Sequence, residues 1–172
     1  LADDIYGRLV YNGNEFVPIS SLSEAIRKQT IVINGVSKAY AMTGWRVGYA
    51  VGNPEIIAAM SKLTGQTTSN LTAVSQYATI EALTGPQDSV ETMRQAFEER
   101  LNTIYPLLCQ VPGFEVVKPQ GAFYLFPNVK KAMEMKGYTD VTEFTTAILE
   151  EVGLALITGA GFGAPENVRL SY

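Results

Sequence analysis

The chain has 172 residues, 47% of them hydrophobic and 17% charged, the composition of a folded globular protein and not of a disordered one. It contains no His and a single Cys, Cys109, which excludes a Ser-His-Asp triad, a Cys-His pair, a His-ligated metal and an internal disulfide. The net charge is −4 and the Lys and Arg residues are scattered, so nucleic acid is not an expected partner.

No apolar run approaches membrane-span length, so no membrane partner is expected either. The lone Cys suits a reducing cytoplasm. The chain opens Leu1-Ala2-Asp3-Asp4, without Met and without a basic-then-apolar leader. It opens within what reads as a strand, as a piece of a longer protein would.

Residues 1–6 read as the end of a buried strand, and residues 18–29 as a serine-rich entry to a short polar helix. Thr30–Val36 is a β-branched run read as a strand buried on both faces. Val47–Val51 reads as another. Asn53-Pro54-Glu55 carries the signals of a helix start, and Ile57, Met60 and Leu63 follow at helical spacing. A second helix is expected from about Thr72 to Leu83, stopping at Thr84-Gly85-Pro86. Val90, Met93, Phe97, Leu101, Ile104 and Leu108 form the apolar stripe of a longer one, which Pro106 should kink or end.

Beyond Pro112-Gly113, Phe114–Val117 and Ala122–Phe126 read as strands. Asp140 with Glu143 resembles a capping box for a helix ending at Gly153. Leu154–Ile157 and Val168–Tyr172 read as closing strands. Strands and helices alternate first and a smaller α+β unit follows, with the boundary near residue 90.

Chemistry concentrates in Gly35–Gly48 (GVSKAYAMTGWRVG). Lys38 follows a buried strand at its carboxyl end, where open α/β sheets hold their ligands. Desolvation there favours the neutral amine, the form that condenses with an aldehyde. Arg46, further along the segment, is a guanidinium suited to a phosphate. On spacing alone, Lys38 as a snorkelling surface residue and Arg46 as half of a structural ion pair fit as well. Asp3 and Tyr6 are expected to end the first strand, with Asp3 and Asp4 on opposite faces. Arg169, on the last strand, reads either as a partner of Glu166 or as a bidentate clamp for a carboxylate.

The Gly35–Gly48 run resembles the lysine signature of the class I pyridoxal-phosphate aminotransferases. Asp3-Asp4-Ile5-Tyr6 is similar to that family's Asp-x-x-Tyr strand, Lys118–Tyr124 to its small-domain strand, and Asn167–Tyr172 to its carboxylate-binding arginine segment. The closest subgroup is the bacterial aspartate aminotransferases. The resemblance implies an α/β fold: the C-terminal half of a fold type I chain. Residues 1–90 would be the end of the cofactor-binding large domain, with a mainly parallel sheet, and residues 91–172 a small α+β domain cut short at its end.

It further implies pyridoxal 5′-phosphate as cofactor, amino-acid and 2-oxo-acid substrates, aspartate and 2-oxoglutarate foremost, and a homodimer. Lys38 would form the internal aldimine and move the substrate proton. Asp3 would pair with the ring nitrogen and Tyr6 with the 3′-oxygen. Arg46 and Ser37 would hold the phosphate, and Arg169 the α-carboxylate. Ser69-Asn70 resembles a segment that reaches toward the neighbouring subunit.

The family's glycine-rich phosphate loop, ring-stacking aromatic and 3′-oxygen asparagine are not in these 172 residues. Some relatives carry a phosphate-contacting Ser where Gly35 stands. The chain alone is therefore expected to be inactive and prone to association, with residues 30–36 forming an exposed sheet edge. A carbon–sulfur β-lyase, an alanine or aromatic aminotransferase, and a non-catalytic interaction module are the competing readings.

Overall fold

The side chain of Asp3 accepts a hydrogen bond from the backbone N–H of Ile5 at 3.2 Å, a contact that bends the chain out of extended conformation. In the computed structural model, which describes residues 1–172, β1 is accordingly only Ala2–Asp3. Tyr6 sits in the turn beyond it and not on the strand as expected. That turn is closed by Gly7 N–H donating to the Asp4 carbonyl at 2.9 Å and Leu9 N–H to the Tyr6 carbonyl at 2.8 Å.

Ser23 caps α1 (Glu24–Gln29), its hydroxyl accepting from Ile26 N–H at 3.2 Å. Next come β2 (Val32–Gly35) and β3 (Gly48–Val51), in the order β1-β2-β3. β1 runs parallel to β2, with Ala2 opposite Val32 and Asp3 opposite Ile33. β3 returns antiparallel, with Gly35 opposite Gly48. Connection length decides both pairings: α1 lies on the crossover from β1 to β2, whereas β2 and β3 are joined by a loop with one 3-10 turn, Thr43–Trp45. Within this chain the sheet, expected to be mainly parallel, has one parallel and one antiparallel pair.

β2 is central, so the sheet's edges are β1 and β3; residues 30–36 do not form the edge expected of them. Nor is β2 buried on both faces, since Val32, Ile33 and Asn34 are half-buried and only Gly35 is buried.

Asn53 Oδ1 accepts from Glu55 N–H at 2.8 Å and starts α2 (Pro54–Thr67), satisfying a first-turn donor that no helical carbonyl reaches. Thr72 does the same for α3 (Ala73–Thr84), accepting from Ser75 N–H at 3.4 Å. Neither helix buries a residue. Ile56, Met60 and Leu63 on α2 and Val74, Tyr77 and Ile80 on α3 are exposed. α4 spans Asp88–Leu108, with Pro106 in its last turn.

The chain divides within α4 into two compact units, Leu1–Gln95 and Ala96–Tyr172. Leu9, Tyr11, Val36, Ala39, Val47 and Val90 are the buried apolar residues of the first.

In the second unit the strand expected over Phe114–Val117 reduces to one bridge. Glu115 and Asn128 exchange backbone hydrogen bonds at 2.9 Å each way. β4 is only Tyr124–Leu125, because Ala122 is left-handed, with φ 60°. α5 (Lys130–Lys136) turns only Ala132 and Met133 inward, too short a stripe to stand out as periodic in the sequence. α6 (Val141–Val152) begins where Asp140 Oδ1 accepts from Thr142 N–H at 2.8 Å and Glu143 N–H at 2.9 Å. It ends at Gly153, left-handed with φ 70°. β5 (Ile157–Thr158) and β6 (Val168–Ser171) complete a second sheet, β4-β6-β5, antiparallel throughout. Its core is Val129, Ala132, Met133, Val141, Phe144 and Val168.

Asp140 is the sole side-chain cap of α6, so Asp140→Ala should lower stability by about 1 kcal/mol and Asp140→Asn by much less. Urea unfolding of the two variants checks this; equal midpoints would show that the cap adds nothing.

Candidate active site

Gly35 lets β2 and the segment entering β3 approach closely. A Cβ at position 35 would lie 2.7 Å from the Val47 carbonyl oxygen and 3.2 Å from the Gly48 Cα. The Ser that some relatives carry at this position does not fit here. Val36 N–H donates to the Val47 carbonyl at 3.4 Å, and Met42 N–H to the Val36 carbonyl at 3.4 Å. Together these tie the Ser37–Tyr40 turn to the end of β2. The buried side chains of Val36 and Ala39 flank Ser37 and Lys38 on the protein side.

Lys38 therefore stands where the sequence places it, just past the carboxyl end of β2, and is half-buried. Its Nζ lies 5.8 Å from the centre of the Tyr6 ring, within the range of a cation–π contact. Tyr6 reaches it from the turn after β1.

Arg46 ends the 3-10 turn in left-handed conformation, φ 55° and ψ 47°. For a side chain other than glycine this costs about 1–2 kcal/mol. The guanidinium bonds back to the Thr43 carbonyl, Nη1 to O 3.1 Å, and the next residue, Val47, is buried. Neighbouring structure thus holds the strained position.

A cavity of about 260 Å³ is lined by Asp3, Ile5, Asn34, Ser37, Arg46 and Gly48, among others. A carboxylate, a hydroxyl and a guanidinium face one space. Asp4 lines a different cavity, with Arg8, Tyr40 and Tyr49, so strand alternation sorts the two neighbouring acids as expected. Lys38 and Tyr6 meet each other and are not among the residues lining the Asp3 cavity.

In the second unit, Arg169 lies on the middle strand of its sheet, opposite Ile157. The alternative partner, Glu166, is engaged elsewhere. Its Oε1 accepts from Lys130 Nζ at 2.6 Å and its Oε2 from Asn128 Nδ2 at 3.4 Å. Those hydrogen bonds hold its carboxyl below the usual carboxylate range. The Arg169 guanidinium carbon instead lies 4.6 Å from the Tyr124 ring centre and 5.0 Å from that of Phe162. Its Nε is buried and has no hydrogen-bond partner. Of the two readings of Arg169, the structure excludes the ion pair with Glu166.

Against known families, the model for aminotransferase class I and II matches residues 1–172. The chain belongs to that family. It is 80% identical to an asparagine–oxo-acid transaminase of Streptococcus mutans, over all of this chain and 44% of that protein. It is 58% identical to an aspartate aminotransferase of Bacillus sp. strain YM-2, again over 44% of the relative. Among solved structures, the aspartate aminotransferase of Rhizobium meliloti superposes with a TM-score of 0.90 at 36% identity, covering 98% of this chain and 44% of that one. The aromatic aminotransferase of Pyrococcus horikoshii does so at 0.89 and 32%, covering 99% and 45%. The chain thus spans somewhat under half the length of the relatives it matches, and its fold is that of the fold type I aminotransferases.

The family works with pyridoxal 5′-phosphate. This cofactor carries a basic ring nitrogen, which suits a carboxylate, and a phosphate, which suits a guanidinium and a hydroxyl. The donor set around the Asp3 cavity fits it. Tyr124 falls within the Lys118–Tyr124 segment, and Phe162 stands in no sequence motif. Only the strand order, which puts β4 and β5 on either side of β6, brings both rings to Arg169.

The backbone at Arg46 yields a separable prediction. Arg46→Gly should be about 1 kcal/mol more stable than Arg46→Ala, because only glycine is unstrained at that φ, although both lose the guanidinium. Thermal unfolding of the pair measures it; an alanine variant as stable as the glycine one would show that position 46 is unstrained.

Proposed function

We propose that the whole protein transfers the amino group of a four-carbon amino acid, aspartate foremost, to a 2-oxo acid such as 2-oxoglutarate, using pyridoxal phosphate. The observation that carries this is the shared cavity of Asp3, Ser37 and Arg46 beside a lysine at the end of β2. Leu1–Gln95 is read as part of the cofactor-binding domain and Ala96–Tyr172 as part of the small domain.

When bound, the cofactor supplies a conjugated cationic ring that takes up the electron pair left when the substrate's α-hydrogen departs. The chain's residues serve that chemistry in separate ways. Asp3 would accept a hydrogen bond from the ring N–H and so keep the nitrogen cationic. Tyr6 would donate its phenol O–H to the ring oxygen. Arg46 and Ser37 bind the phosphate and so fix the ring in place. Lys38 would hold the cofactor's aldehyde carbon through its amine, and the same amine, when free, would be the general base for the α-proton. Arg169 grips the α-carboxylate, which fixes the direction in which the α-hydrogen points.

A homodimer is part of the reading, supported by the exposed apolar residues of α2 and α3. A cytoplasmic location is supported by the lone Cys. No helix is long and apolar enough to cross a membrane.

One observation favours a second donor. The relative that is 80% identical is named as an asparagine transaminase, so asparagine stands beside aspartate as candidate. The two differ only in a distal amide against a carboxylate.

Three measurements test this on the whole protein. Borohydride reduction should fix the cofactor on Lys38, as located by peptide mapping. Lys38→Ala should lower kcat by at least about a thousandfold, and Asp3→Asn by about ten- to a hundredfold, the loss of one charge-assisted hydrogen bond. Fixation on a different lysine would overturn the assignment. In a panel of amino donors with 2-oxoglutarate, kcat/KM should be highest for aspartate or asparagine; a preference for aromatic donors or for alanine would refute the four-carbon reading.

A further inference from the structure

Two aromatic rings lie against the Arg169 guanidinium. Tyr124 comes from β4 and Phe162 from the 3-10 turn that follows β5, the strands on either side of the arginine's own. Register explains the first. Tyr124 stands opposite Ser171, so its side chain shares the face of Ser171 and, two residues along, of Arg169. Val168 and Leu170 alternate to the other face and join the core. The turn Gly159–Phe162 explains the second. It is capped by the Thr158 hydroxyl, which accepts from Ala160 N–H at 3.3 Å, and closed by left-handed Gly163. Phe126 packs edge-on against Phe162, with centroids 6.0 Å apart, and holds the ring from behind.

A long, flexible arginine is thereby held without any hydrogen bond to protein at Nε, which is buried. Stacking on ring faces restrains the guanidinium plane but leaves its donors unspent, whereas an ion pair to a carboxylate would consume them. With Nε enclosed, the two terminal Nη groups are the donors left for a bidentate acceptor.

We propose that Tyr124 and Phe162 are positioning residues that hold the Arg169 guanidinium ready for a substrate carboxylate, and that they set carboxylate affinity without touching the reacting atoms. This rests on the assignment of Arg169 made above. Because the rings act through Arg169, their loss weakens binding and leaves the chemical step near its normal rate.

The test uses the whole protein with its cofactor and has two readouts: the KM and kcat for the amino donor, and the dissociation constant of succinate, a four-carbon dicarboxylate that has no amino group to react. Phe162 is 55% exposed, so trimming it leaves the core in place. Phe162→Ala should raise KM and the succinate constant about tenfold while kcat changes by less than about threefold. Phe162→Leu keeps the apolar bulk but not the ring; it and Tyr124→Leu should show the same loss. Phe162→Tyr should restore both constants to within about twofold of the unaltered protein.

Unchanged constants in Phe162→Leu, or a fall in kcat with KM unmoved, would overturn the proposal. Arg169→Leu separates the two layers. If it leaves succinate affinity intact, the assignment of Arg169 fails. If it abolishes binding while neither aromatic variant changes it, only the positioning role fails.

Discussion

One close backbone contact governs the first unit. β2 and the segment entering β3 meet at Gly35 with no room for a side chain, and the loop between them carries Ser37, Lys38 and Arg46. Any side chain at position 35 would push against the Val47 carbonyl, which already accepts from Val36 N–H. Moving that carbonyl would release the start of the lysine turn and the arginine at once. The loop's two ends are therefore coupled through a single hydrogen-sized gap.

The site is also an arrangement of charge. A carboxylate from the end of β1 and a guanidinium from the loop before β3 face one cavity, although the two strands are not neighbours. Each is aimed by a local bond to its own backbone: Asp3 through Ile5 N–H, Arg46 through the Thr43 carbonyl. In the second unit Arg169 is aimed differently, by ring faces and not by an acceptor. Glu166, three residues before it in the chain, is held by Lys130 instead.

What the sequence made legible was mostly local. Helix starts at Asn53-Pro54, Thr72 and Asp140 and the stop at Gly153 were readable, because capping depends on residues a few positions apart. Lys38 at a strand end was readable for the same reason, and the Asp3–Asp4 split followed from alternation. The misreadings were non-local. Tyr6 left its strand because Asp3 bonds Ile5 N–H. Phe114–Val117 had strand-like residues but keeps a single bridge, Glu115 to Asn128. The burial of β2 depends on what covers the sheet, which its own residues do not encode. Phe162 shows no pattern, since its place beside Arg169 arises from strand order alone.

The crowding at Gly35 bears on how this lysine motif can be exchanged between relatives. A homologue with Ser at that position must hold its two strands further apart, or tilt the carbonyl that faces them. Grafting the short lysine segment alone would import a hydroxymethyl group into a space cut for hydrogen. The unit that can be transplanted intact is the whole hairpin, both strands included, so recombination points for chimeric enzymes belong outside residues 32–51.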